Sequence, residues 1–560
     1  MQKIFRVMII IAMLITAYLL ILAWRDDYAD APAVDAVPET STSVGADIPA
    51  TTGAAGDIPA QTLPVDAGAV AEAPATNTGL ITVTTDRYDI KINPEGGDIV
   101  YAALKQYDAT LNSEKPFVLL ENNSGRVYVA QSGLIGPNGI DTAEGRAKYS
   151  HAANNYVMEK GQQTLSVPLT YQKDGVTVTK TFTFTQDKYP IDISYQIQNA
   201  SANPWQGQMF AQLKRDDSKD PGMSDKGALS MATYLGGAWG TPEDPYNKLK
   251  FGKFNDGELT TTSDEGWVGI VQHYFVSAWT PENFTGKFFS RETGNDYFIG
   301  FNSQPVNVAP NKQITLNATL YAGPKVQSEL KEVAVGLNQT VDYGLLWPIS
   351  KILFAILDGI HKVIGNWGWS IILLTLLVKI ALMWVSNKSY YSMAKMRAIA
   401  PRLAALKEEH GDDRMKMSQE MMAIYKEEKV NPMAGCLPIL MQMPIFLALY
   451  WVLVESVELR HAPWILWIQD LSAMDPWFIL PLLMGASMFI QQQLNPQPAD
   501  PMQAKVMKFL PIIFTAFMLF FPAGLVLYWT VNNLFSMTQQ YIINRKVEEE
   551  QKRRTVKALD

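Results

Sequence analysis

Trp369-Ser-Ile-Ile-Leu-Leu-Thr-Leu-Leu-Val-Lys-Ile-Ala-Leu-Met-Trp384 is apolar except for Ser370, Thr375 and a single lysine. With its flanks (367–385) the stretch would reach about 28 Å as a helix, close to the hydrocarbon thickness of a bilayer. A charge inside such a span costs at least ~2.5–3.5 kcal/mol on insertion scales unless it finds water or a partner. Lys379 can be read in two ways. It either snorkels to a boundary six residues, roughly 9 Å, away, or it faces a water-filled cavity open to the cytoplasm. No acid lies in any other apolar span to pair with it, which favours the cavity.

Further spans are expected outward from this one. Residues 1–25 hold Lys3 and Arg6 and then an apolar run from Val7 to Trp24. The run is longer than the usual core of a cleaved leader and ends in an interfacial tryptophan, so a retained signal anchor is preferred over a signal peptide cut near Ala31. Four more spans are placed near 433–454, 477–494, 507–521 and 524–543. Segment 387–432 carries nine Lys or Arg, loop 455–476 only Arg460, and the tail 544–560 six. Six spans with both termini in the cytoplasm satisfy every short loop.

Between anchor and core the composition changes twice. Residues 26–80 contain nine acids, no Lys or Arg and no large apolar cluster, and are expected to be a disordered tether. Residues 81–340 alternate as strands do, with Val176, Val178, Phe182 and Phe184 on one face and Ile191, Ile193, Tyr195 and Ile197 on another. An antiparallel β-sandwich is expected there, with a sugar-binding cleft as an open alternative. Over 343–365, Lys351, Asp358 and Lys362 form a polar stripe on an otherwise apolar helix, which suits the membrane interface. Residues 387–432 read as a helical hairpin turning at Gly411, Asp412 and Asp413.

Averages conceal this arrangement. The 560 residues are 48% hydrophobic with a net charge of -8, which excludes a strongly basic nucleic-acid binder. The single cysteine, Cys436, excludes an internal disulfide, five histidines make a metal centre a poor reading, and no nucleotide-binding glycine loop occurs. No cofactor and no metal site are expected. Thr375 lies one turn before Lys379 and shares its face. Gln442 sits mid-span, while Thr530, Asn533 and Gln540 form one stripe on the last span. These groups either bond between helices or line a cavity.

Several motifs point to a family. They include Tyr391-Ser-Met-Ala-Lys-Met-Arg397, Gly411-Asp-Asp413, Lys429-Val-Asn-Pro432, Gln442-Met-Pro-Ile-Phe-Leu-Ala-Leu-Tyr450, Ser456-Val-Glu-Leu-Arg460 and Phe521-Pro-Ala-Gly-Leu-Val-Leu-Tyr528. Together they resemble the YidC/oxidase-assembly/Albino family of membrane insertases, in its Gram-negative form. The resemblance implies a polytopic inner-membrane protein with a periplasmic β super-sandwich. It implies a hydrophilic groove, open to the cytoplasm and bearing one positive charge, that accepts polar segments of nascent membrane proteins. Matched position by position, Lys379, Thr375 and Gln442 would line the groove, with Asn533 and Gln540 on the same polar stripe. Met443, Pro444, Phe446, Tyr528 and Trp529 would lie on the substrate's sliding path. Lys379 stands where the family usually has arginine, which keeps charge attraction but not bidentate carboxylate recognition. Trp529 stands where a second tyrosine is common. The implied partners are nascent chains, the lipid bilayer, the Sec translocon, and the ribosome and targeting receptor through hairpin and tail. Catalysis and sequence-specific nucleic-acid binding are not implied. A secondary transporter and a membrane-tethered carbohydrate enzyme are the competing classes, although no inverted repeat is visible.

Overall fold

The computed structural model describes residues 58–59, 79–221, 233–255, 259–410, 414–428, 430, 437–495 and 501–559. The expected anchor, nearly all of the tether, and the turn at Gly411, Asp412 and Asp413 lie outside them.

Residues 81–324 build two facing sheets, of eleven and nine strands among the described residues. Almost every pairing is antiparallel; Ile81–Thr84 against Asn155–Val157 is parallel. Strands Val176–Thr185 and Pro190–Asn199 pair as the alternation predicts, with Ile191 opposite Phe184 and Ile197 opposite Val178. Their apolar faces turn inward onto a core that includes Trp267 and Trp279. The indole of Trp279 donates to the Gln212 carbonyl at 3.1 Å, so its polar atom is satisfied inside the sandwich.

The inward face of 176–185 also carries Lys180, fully buried. Its ammonium donates to the carbonyls of Gly96, Gly97 and Ser132 at 3.1, 2.7 and 3.1 Å. Beside it Arg146 pairs with Asp98 at 2.9 Å and with Asp141 at 2.8 Å. Gly97 has φ +63°, and a Cβ there would stand 2.9 Å from Lys180 Cδ, so both the backbone and the packing call for glycine. Burial lowers the Lys180 ammonium to about 7.

Helices follow the sandwich. The first, α1, is Gln327–Val333, and α2 is Trp347–Ile364, entered through a 3-10 turn at Gly344–Leu346. Then come α3 (Trp367–Ala381), α4 (Met383–Ala398), α5 (Ala400–His410), α6 (Arg414–Glu427), α7 (Leu437–Glu455), α8 (Ile479–Leu494), α9 (Pro501–Met518) and α10 (Ala523–Leu559). Among the described residues, only Gly344–Ile364 is by itself long and apolar enough to cross a membrane. On α2 the expected polar stripe is present, with Lys362 and Asp358 paired at 2.7 Å, while Leu353 and Leu357 pack inward.

Two elements depart from expectation. A continuous helix is expected over 367–385, but the chain breaks at Leu382 (φ -90°, ψ 0°), and α3 meets α4 at 68°. No Pro or Gly marks the break. Instead α4 is tied across α10, where Gln539 donates to Asn387 at 2.7 Å and Tyr391 donates to Glu550 at 2.8 Å. The second departure is α10 itself. Its 37 residues run through the expected span and on through the expected tail as one helix of about 55 Å.

Candidate functional site

Lys379 sits in the last turn of α3, where a cation is favoured by the helix's exposed carbonyls. It is 6% exposed although it lies on an apolar helix. Its ammonium donates to Ser536 Oγ of α10 at 2.8 Å, and Ser536 donates in turn to the Asn532 carbonyl at 2.8 Å. Among the described residues no carboxylate pairs with it. A neutral hydroxyl satisfies one of three ammonium donors and leaves the charge uncompensated.

The other expected groove residues lie near the helix contacts, each already bonded. Thr375 is fully buried and donates back to the Ile371 carbonyl at 2.7 Å, as hydroxyls do inside helices. The Gln442 amide donates to the Tyr528 hydroxyl, joining α7 to α10. Asn533 donates to Ser487 of α8 at 3.1 Å. Gln540 donates to Asn495 at 2.8 Å, just beyond the C-terminus of α8. Thr530 bonds back to Val526 at 2.7 Å. The amides thus bond between elements and the two threonine hydroxyls within their own helices, leaving a polar seam down the inner face of α10.

Of the expected sliding-path residues, Phe446 and Trp529 meet edge to face, their ring centroids 4.7 Å apart, and Phe514 packs on Trp529 at 4.9 Å. Tyr528 is buried with its hydroxyl on Gln442, whereas Met443 is exposed on another face of α7. Pro444 lies inside α7. The five are thus divided: Tyr528 is interior, Phe446 and Trp529 share an aromatic cluster, Pro444 is half-buried, and Met443 faces outward. Sequence reasoning missed Ser536 and Asn544; both continue the stripe of Asn533 and Gln540 at helical spacing.

A second constellation, also unforeseen, fastens the sandwich to the end of α7. Lys325 pairs with Glu455 at 2.8 Å, the two side chains 2% and 5% exposed, and also donates to the Thr340 carbonyl at 3.1 Å. His273 donates from Nε2 to the Val454 carbonyl at 2.8 Å. Burial, with Lys325 and Arg460 nearby, pulls its imidazole down to about 3. Arg460 donates to the Asp108 carbonyl at 2.7 Å and lies over Phe117 and Phe275 at 5.5 and 5.8 Å. A glutamate at a helix C-terminus opposes the dipole, so Lys325 offsets a local cost as well as bridging two units of structure.

Residues 80–356 match the family profile of the YidC periplasmic domain, and residues 359–551 match that of the 60Kd inner membrane protein. The membrane protein insertase YidC of Pseudomonas fluorescens (strain SBW25) is 49% identical over 562 residues, covering 97% of this chain and 98% of that protein. Its counterpart in Stutzerimonas stutzeri (strain A1501) is 50% identical over 556 residues, with the same coverage of 97% and 98%. Among solved structures, an active YidC insertase with its first transmembrane domain resolved covers 83% of this chain and 92% of that one, at 18% identity and a TM-score of 0.35. A galactose mutarotase related enzyme from Lactobacillus acidophilus covers 44% of this chain and 97% of that one, at 8% identity and a TM-score of 0.29. The sequence relatives decide the family.

Proposed function

The chain belongs to the YidC family, membrane protein insertases of the inner membrane, and from that membership we propose how its polar seam works. Six spans place both termini in the cytoplasm, the sandwich in the periplasm, and α5 and α6 as a cytoplasmic hairpin. The seam between α3, α7, α8 and α10 is open to cytoplasm and lipid, and α2 lies in the interface. A nascent chain enters with its polar flank against Lys379, while its apolar helix leaves along the surface around Phe446 and Trp529. Water held by the seam lowers the dehydration cost of carrying a short polar segment across the bilayer. The energy comes from burying the substrate's apolar helix. The hairpin and tail meet the ribosome and targeting receptor, and the sandwich and α2 meet the Sec translocon.

The observation that carries this reading is Lys379, a buried cation among apolar helices with a hydroxyl as its partner. An opposite charge arriving in such a place is attracted strongly because little water screens it. Lys379→Glu should abolish most insertion of a small test protein with an acidic translocated flank, while Lys379→Arg should retain it. Equal activity of the two variants would refute the charge's role. Crosslinks from a stalled nascent chain should map to 442–446 and 528–529, and intact insertion without them would refute the path.

A further inference from the structure

Six polar side chains point along the inner side of α10 at Trp529, Asn532, Asn533, Ser536, Gln540 and Asn544, separated by one to four residues. Several of their atoms are buried without a partner among the described residues: Trp529 Nε1, Asn532 Oδ1, Gln540 Oε1, and both amide atoms of Asn544. Asn544 is 7% exposed, so solvent does not simply replace what is missing. One turn later Val547 and Glu550 line a small cavity with Lys395 and Glu428, on the side where α4 and α6 approach α10. The unpaired stripe thus runs from the aromatic cluster, past Ser536 and its lysine, to that cavity.

Five buried donors and acceptors without a partner within one short helical stretch would be satisfied by an occupant with hydrogen-bonding groups of its own. The unpaired atoms include both donors and acceptors, and the Asn544 carboxamide offers one of each. That is the complement of a peptide group, which presents one N–H and one C=O. We propose that Asn544, with Gln540, is a binding site for polypeptide main chain: it pairs with the peptide groups of an extended, uncharged segment entering from the cytoplasmic end. The site complements Lys379, which acts on charge, by holding chain irrespective of side chain. From Trp529 to Asn544 the stripe rises about 22 Å, which matches the length of some six or seven extended residues. The inference rests on the insertase reading of the seam given above.

The test is insertion by the full-length protein in proteoliposomes, using two single-span test proteins. One carries a translocated flank of alternating Ser and Gly; the other has Pro at alternate positions of that flank, which removes every second N–H donor. Asn544→Leu should slow insertion of the first about five-fold and of the second by under about two-fold. Gln540→Leu should show the same selectivity, and both variants are compared at equal membrane level and equal trypsin resistance. An equal loss on both flanks would make Asn544 a structural or water-binding residue and overturn the proposal. No loss on either flank, with Lys379→Glu still inactive towards an acidic flank, would overturn it while the seam's function stands. If Lys379→Glu were active as well, the seam reading would fall and this inference with it.

Discussion

Lys379 and Lys180 are both lysines removed from water, yet they are held differently. Lys180 has three carbonyl acceptors with Asp98, Asp141 and Arg146 around it, a closed arrangement that is complete without any visitor. Lys379 has one hydroxyl, an open arrangement. The closed site makes a pH prediction. Folded Lys180 releases its proton near pH 7, whereas the unfolded chain keeps it to about 10.5. Between those values the unfolded state binds more protons, so stability rises with pH across that window and the gain is absent below it. Lys180→Met should flatten that rise, read as the denaturant midpoint of the sandwich at pH 7 and pH 10. An unchanged slope would refute the assignment. Arg146→Met should cost about 3–5 kcal/mol, because Asp98 and Asp141 would stay buried without the guanidinium that bridges them. The same midpoint measures it.

Among elements, the fastening of α7 to the sandwich carries the clearest expectation. Lys325→Met or Glu455→Met alone should destabilise that joint by about 3–5 kcal/mol, and the double variant by much less, since no lone buried charge then remains. Protease release of the sandwich from the membrane core reads both, and additive losses would refute the coupling. His273 adds a pH dependence. Its imidazole titrates near 3 when folded and at 6.5 when free, so its contribution is complete above pH 6.5 and lost as pH falls towards 3. His273→Asn should weaken the acid sensitivity of the joint between pH 6.5 and 4. Elements also show what a sequence can reveal. Strands 176–185 and 190–199 were legible because period-two alternation is local, and Lys379 was legible because charge is rare in an apolar run. Lys180 was hidden because a lysine in an alternating strand reads as an outward residue. The break at Leu382 left no local mark, and the bonds that hold α4 against α10 join residues more than a hundred positions apart. Asn544 was read as tail because Arg545, Lys546 and three glutamates at 548–550 follow it. Pairs such as Lys325 with Glu455, 130 residues apart, cannot be read from spacing.

Across the whole molecule the net charge of -8 is unevenly distributed, with nine acids and no Lys or Arg in 26–80 and nine Lys or Arg in 387–432. That division suits a chain whose proposed termini stay with the cytoplasm. Deleting 81–320 removes most of the sandwich but keeps Lys325, Tyr343 and Glu455. Insertion of a small test protein should survive that deletion, whereas a tethered carbohydrate enzyme would lose its activity. Extending the deletion through 343 should be more damaging, because Glu455 would lose Lys325 and Ser456 would lose the Tyr343 hydroxyl, 3.2 Å away. The uninterrupted α10 has a mechanical consequence. Tyr391 pins it at Glu550, about 32 Å along the axis from Trp529. A tilt of about 10° around that pin moves the aromatic end by roughly 5 Å, one helical turn. The C-terminal end is thus the short arm of a lever, and a load seated there would shift the far end by about the width of a side chain.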